Sequence, residues 1–335
     1  MSHCDGAWDE FVRAHPQGTF FHLSAWAGVV ETAFGRRTHR LISTRGGALA
    51  AILPLVEVRS RLFGHALIGA GFTVGGGPLA LEAEALQDVL DQAAALGRKL
   101  GADYVELRDI EAAGPGWVRR DGLYAGFERS IAPEEDDCLK QIPRKQRAVV
   151  RKALERGMTT DIDRSAADFF GLYARTMRDH GTPALPRRYF ETLLGRFGPD
   201  CEVLTVRRDG QPVASVLSYY FRGRVLPYYT GSAPAARDLG ANDLMYWSLM
   251  RHAAARGCAV FDFGRSKVGT GPYAFKRNWG FEPRPIAHHF RLIKAHETPN
   301  LNPTNPRFSL MIEAWRRLPL PVANAISPFI SRSLG

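Results

Sequence analysis

The segment VLTVRRDGQPVASVLSYYFRG, residues 203–223, reads as two β-strands joined at Asp209-Gly210, a dipeptide that supplies the positive φ of a tight hairpin turn. An earlier segment, RLISTRGGALAAILPLVEVR at 40–59, has the same order around a Gly-Gly turn. The correspondence continues downstream. The first hairpin is followed by a helical stretch, ALQDVLDQAAALGRKLG, and a strand, ADYVELRD; the second by NDLMYWSLMRHAAARG and CAVFDFG. Each helical stretch closes on a glycine that fits a helix C-cap, and the next strand begins almost at once. A duplicated mixed α/β unit accounts for 335 residues better than one open sheet does. The expected division is a first domain at 1–132, a second at 140–298 and a helical extension at 299–335.

With 45% apolar and 23% charged residues, the chain has the composition of a folded protein. Its 44 Lys and Arg against 34 Asp and Glu leave a net charge of +10. That excess favours anionic partners without choosing among nucleic acid, anionic lipid, a phosphorylated sugar and a pyrophosphate cofactor. The N-terminal stretch lacks the apolar run of a secretory signal, and no stretch approaches the roughly 20 apolar residues of a spanning helix, so a cytoplasmic location is expected. Cys4, Cys138, Cys201 and Cys258 lie too far apart for a zinc or disulfide framework.

Between the two units, PRKQRAVVRKALERG at 143–157 predicts a helix starting near Pro143, with Val149, Ala153 and Leu154 as a narrow inward stripe. Arg144, Lys145, Arg147, Arg151, Lys152 and Arg156 make it a solvated basic helix or, facing a groove, an anion collector. The tail from Pro299 reads as turns and short amphipathic helices broken by prolines. It either packs on the rest of the chain or touches a membrane surface, with Trp315, Leu318 and Phe329 beside Arg316, Arg317 and Arg332.

The glycines of FDFGRSKVGTGPYAFKRNWGFEP, residues 261–283, do not form a phosphate loop, because no Lys-Ser or Lys-Thr pair closes the turn. A better anion site lies upstream in RDLGAN, residues 237–242. Arg237 and the amides around Gly240, Ala241 and Asn242 open a helix there and could face a pyrophosphate.

The order strand, RDLGAN, helix, CAVFDFG, YAFKRNWGF resembles the later half of a GNAT-type acyltransferase. Arg237 and Gly240 match the first elements of that family's coenzyme A signature, while Asn242 stands where glycine or alanine is usual. More closely, the chain resembles the FemAB-like acyltransferases, which carry tandem GNAT-like domains, and among them the proteins associated with the PEP-CTERM exosortase system. TFFHLSAW, SRLFG, PRKQRAVVRKALERG, DFGRSKVGTGPYAFKRNWGFEP and NLNPTNPRF carry that likeness.

The resemblance implies transfer of an acyl or aminoacyl group, from acyl-coenzyme A or aminoacyl-tRNA, to an amine on an anionic or saccharide-linked acceptor of the cell envelope or an exopolysaccharide. No tightly bound cofactor is expected; tRNA and the inner-membrane surface are the expected partners. The alternative is a catalytically silent scaffold in polysaccharide assembly. In this reading Lys276 steadies charge on the reacting carbonyl and Asp262 is the best carboxylate base. Tyr228 or Tyr229 donates to the leaving group. Arg265, Lys267, Tyr273, His180 and Arg144 border the acceptor.

Overall fold

A computed structural model describes residues 3–60, 64–299 and 309–332. SRLFG falls largely, and NLNPTNPRF wholly, outside those residues. By contacts the chain divides into two compact units, one made of described residues in 1–124, 285–305 and 329–335, the other of those in 125–284 and 306–328.

The first unit opens with α1 (His3–Ala14) and α2 (Ser24–Phe34). The hairpin of β1 (Thr38–Arg45) and β2 (Ala48–Ser60) follows, then β3 (Gly64–Gly69) and the two-residue β4 (Leu79–Ala80). Next come α3 (Ala83–Leu100), β5 (Tyr104–Arg108) and the start of β6 (Val118–Ser130). β1, β2 and β3 pair antiparallel, and β3 pairs parallel with β5. Helix α3 forms because Ala85, Val89, Leu90, Ala93 and Ala94 recur at helical spacing, which lays one apolar stripe against Leu53, Leu67 and Val105 of the strands.

The second unit carries α4 (Glu135–Gln141), α5 (Arg144–Leu154), β7 (Thr159–Asp163), α6 (Ala167–Asp179) and α7 (Arg187–Phe197). β8 (Cys201–Arg208), β9 (Gln211–Phe221) and β10 (Arg224–Ser232) follow, then α8 (Ala236–Leu239), α9 (Ala241–Ala255), β11 (Val260–Lys267) and α10 (Gly271–Asn278). Strands run in the order β7-β8-β9-β10-β11; β8, β9 and β10 are joined antiparallel and β10 to β11 parallel. Both sequence-read hairpins are therefore present, each followed by a helix and a strand.

Side chains alternate across β10. Tyr229 packs on Tyr173 of α6 and Phe190 of α7, whereas Thr230 hydrogen-bonds Tyr246 of α9. At Gly231 the backbones of β10 and α6 nearly touch: a Cβ there would stand 2.2 Å from the Tyr173 amide nitrogen.

Two expectations change. β12 (Pro283–Leu292), read as the end of the second domain, pairs antiparallel with β5, His288 opposite Arg108, so residues from 285 belong with the first unit. Its partner lies about 180 residues earlier, beyond the reach of local patterning. In α5 Val150 and Ala153 are buried and Val149 half-buried, while Leu154 is exposed. The tail forms α11 (Ser309–Arg316) and α12 (Leu320–Ser331).

Candidate active site

The pairing of β10 with β11 is brief. They share register only at Arg224–Val260 and Val225–Phe261, and β10 then shifts register against β9 between Pro227 and Tyr229. An irregularity of this kind bends a strand and re-aims its side chains. The β10–β11 ladder ends at Val225–Phe261, short of the bend, and the two strands share no register beyond it.

Against β11 stands Lys276, on α10. Its Nζ donates to the carbonyl oxygens of Gly264 (3.3 Å) and Arg265 (3.0 Å), and it lies over the rings of Phe127 and Phe263. Burial pushes its pKa down to about 7, with Asp262 opposing and Arg265 reinforcing the shift. Asp262 Oδ1 accepts the amide hydrogen of Gly264 at 2.9 Å, and Oδ2 stands 3.7 Å from Arg224, which also pairs with Glu128. Burial raises the Asp262 carboxyl; the Gly264 amide and Arg224 pull it back. The structure thus brings Asp262, Arg265 and Lys276 into one electrostatic group. Lys267 caps the turn into α10, its carbonyl accepting from both the amide and the hydroxyl of Thr270. Tyr273 packs edge-on against Phe127.

Tyr229 belongs to a different cluster. Its hydroxyl pairs with that of Tyr189 at 3.0 Å, and Tyr173, Phe190 and Tyr228 surround its ring. Burial raises both phenols well above the usual value, so both stay protonated. Tyr228 turns towards Tyr219. His180 is exposed at the end of α6, with α11 against the following residue: a Cβ on Gly181 would meet the Ile312 side chain.

At RDLGAN, the expected anion site, helix α5 packs on the glycine. Gly240 takes the left-handed conformation (φ +69°) and is buried together with Ala241. Helix α5 lies over it: a Cβ on Gly240 would sit 3.0 Å from Val149 Cγ1 and 3.4 Å from Ala153 Cβ. Asp243, at the third position of α9, places its own carboxylate at the helix start, where a negative charge is favoured. That carboxylate accepts from Trp279 Nε1 at 3.0 Å. Burial pushes the Asp243 carboxyl up and the Trp279 bond pulls it back. Arg237 is exposed on α8 and Asn242 is half-buried.

The covering helix is itself strongly basic outward. Arg144, Lys145, Arg151 and Lys152 are exposed, and with the half-exposed Arg147 they form no ion pair among the described residues. Sequence reasoning missed Tyr189 and the Asp243–Trp279 pair. Tyr189 lies in an ordinary amphipathic stretch, RRYFETLLGRF, with nothing to set it apart.

Residues 138–277 match the family described as acetyltransferase (GNAT) domain. Over the whole chain, the crystal structure of FemX superposes with a TM-score of 0.69 at 18% identity, covering 93% of this chain and 99% of that one. The fold is that of the FemAB and GNAT-superfamily acyltransferases. A tandem GNAT protein from the clavulanic acid biosynthesis pathway shares this fold at a TM-score of 0.53 and 13% identity, covering 85% of this chain and 93% of its own. By sequence, the chain is 28% identical over 242 residues to the lipid II:glycine glycyltransferase of Staphylococcus saprophyticus subsp. saprophyticus. That alignment spans 64% of this chain and 57% of the relative, so the chain matches little more than half of that protein's length. In the terms of this fold, the GNAT match covers β10, β11, α9 and Lys276.

Proposed function

We propose that the protein transfers an aminoacyl group from a charged tRNA to an amine on a cell-envelope acceptor of the lipid-linked peptidoglycan-precursor class. The likeness to a lipid II:glycine glycyltransferase supports the acceptor class and the reaction. The observation that carries the choice of donor is the carboxylate of Asp243 at the start of α9, beside a Gly240 on which α5 packs. A pyrophosphate there would face that negative charge. A tRNA needs no such cradle, and the unpaired cations of α5 suit a phosphate backbone. The two hairpin–helix–strand runs support the reading of both units as GNAT-like halves, with the second carrying the reaction.

In the transfer step the acceptor nitrogen attacks the carbonyl carbon of the aminoacyl ester. The ester C–O bond then breaks, and the ribose hydroxyl oxygen leaves with a proton. Lys276 in its charged form, fixed by two main-chain carbonyls, steadies the oxyanion that develops between these events. Asp262, whose Oδ1 is held by Gly264, takes the proton from the attacking amine. In this reading the extended substrate lies along β10 and β11 beyond their short ladder, and orientation there supplies much of the rate. Tyr229 stays in the packing between β10, α6 and α7. The link to exopolysaccharide production rests on the sequence resemblance.

The test offers labelled aminoacyl-tRNA and acyl-coenzyme A separately, each with a lipid-linked muropeptide amine. Transfer from tRNA alone is expected. Transfer from acyl-coenzyme A alone would reverse the donor assignment, and binding without turnover of either would favour the scaffold.

A further inference from the structure

Helix α12 is built the wrong way round for a surface helix of a globular protein. Such a helix turns its apolar stripe to the core and its polar face to water. Here the buried positions are Ala323, Ser327 (3% exposed) and Ser331 (0%), spaced by four, and Ser327 Oγ accepts the amide hydrogen of Ala184. The outward positions Val322, Ile326 and Phe329 (67% exposed) form an apolar stripe of their own, at spacings of four and three. The preceding helix turns Ile312 and Trp315 inward in the ordinary sense, yet leaves Leu310 85% and Met311 59% exposed. A helix that turns alanine and serine inward and valine, isoleucine and phenylalanine outward marks an interaction surface rather than scattered exposure.

The charges around this surface select its partner. Residues 309–332 contain three arginines, Arg316, Arg317 and Arg332, and one acid, Glu313. Glu313 anchors Arg317 at 3.0 Å and Arg316 at 3.9 Å, and the Arg332 guanidinium stands over the Phe329 ring. Long cationic side chains beside an apolar stripe can lie along a lipid surface and reach its phosphates. No helix among the described residues is long and apolar enough to cross a membrane, which limits the contact to the interface.

We infer that α12 forms an interfacial anchor that seats the chain on an anionic lipid bilayer, with its continuous outward stripe of Val322, Ile326 and Phe329 entering the acyl boundary and the neighbouring arginines meeting headgroup phosphates. The anchor does not depend on the transfer chemistry, but it would hold the enzyme where a lipid-linked acceptor resides.

Flotation of the full chain with vesicles tests this. Binding to phosphatidylglycerol-containing vesicles should exceed binding to pure phosphatidylcholine and weaken with salt. The triple variant Val322→Ser, Ile326→Ser, Phe329→Ser should lose about tenfold or more of that binding, because each change withdraws several buried methyl or methylene groups from lipid. These positions are exposed, so the thermal midpoint and transfer to a water-soluble acceptor amine should hold, which separates a failed anchor from a failed reaction. Arg316→Glu with Arg317→Glu should abolish the preference for anionic lipid. Absence of wild-type flotation, or equal flotation of the triple variant, overturns the anchor. So does a dimer in sedimentation that dissociates in the triple variant, since the stripe would then be covered by a second copy.

Discussion

Trp279, which follows α10, donates its indole hydrogen to Asp243, at the start of α9, across 3.0 Å. One bond thereby joins the two segments that carry the family likeness. It also accounts for a fully buried tryptophan in a basic stretch, since an indole in the core needs an acceptor. Trp279→Phe keeps most of the packing and leaves a half-buried carboxylate without its donor, so a loss of about 1–3 kcal/mol is expected in urea unfolding. Asp243→Asn retains an acceptor and should lose less; equal losses would show that packing alone is at stake.

Lys276 should impose a pH limit on turnover. Its pKa of about 7 means that the cation needed at the oxyanion is lost as pH rises through neutrality. The rate constant for transfer should fall above pH 7 in the wild type, the fall should move to much higher pH in Lys276→Arg, and Lys276→Met should be slow throughout. Stability follows the same proton in the opposite sense. Because the folded pKa lies below the unfolded 10.5, the unfolded chain binds more protons between pH 7 and 10.5, and wild-type stability should rise relative to Lys276→Met across that window.

The cations of α5 should matter for a polyanionic donor and for little else. Arg144→Glu, Lys145→Glu and Lys152→Glu reverse exposed charges, so the thermal midpoint should scarcely move. Affinity for charged tRNA should drop, and the salt dependence of binding should flatten by about one unit of slope per phosphate contact removed. Unchanged affinity would take α5 out of the donor site.

In the first unit, Glu106 is buried with Arg108 Nε at 2.8 Å and His288 Nδ1 at 3.1 Å. Burial alone would raise its carboxyl, but Arg108 and then His288 more than offset this and hold it well below the usual range. The contribution to stability is full above the unfolded value of 4.5 and is lost as pH falls through the folded one. Arg108→Met leaves that buried carboxylate with His288 alone and should cost about 3 kcal/mol at neutral pH in calorimetry or urea unfolding.

Gly231→Ala tests a purely steric demand. The added methyl would meet main-chain atoms of Leu172 and Tyr173, which no rotamer change can move. A loss of about 3 kcal/mol, at the upper end for overpacking, is expected in thermal unfolding. Substitution at Gly171, whose added Cβ meets nothing within 4 Å, is the control.

The hairpins at 40–59 and 203–223, the starts of α5 and α9, and the basic face of α5 were legible in the sequence, because each depends on residues within a few positions of one another. The α/β class follows from those elements alone. Four features depended on tertiary structure. β12 pairs with a strand about 180 residues earlier; Asp243 meets Trp279 across 36 residues; Tyr229 and Lys276 fall into separate clusters; and α5 packs on the glycine of RDLGAN. A pattern of glycines and a basic residue records what a backbone can do locally, whereas an anion site also needs open space, and packing between distant segments decides where space remains.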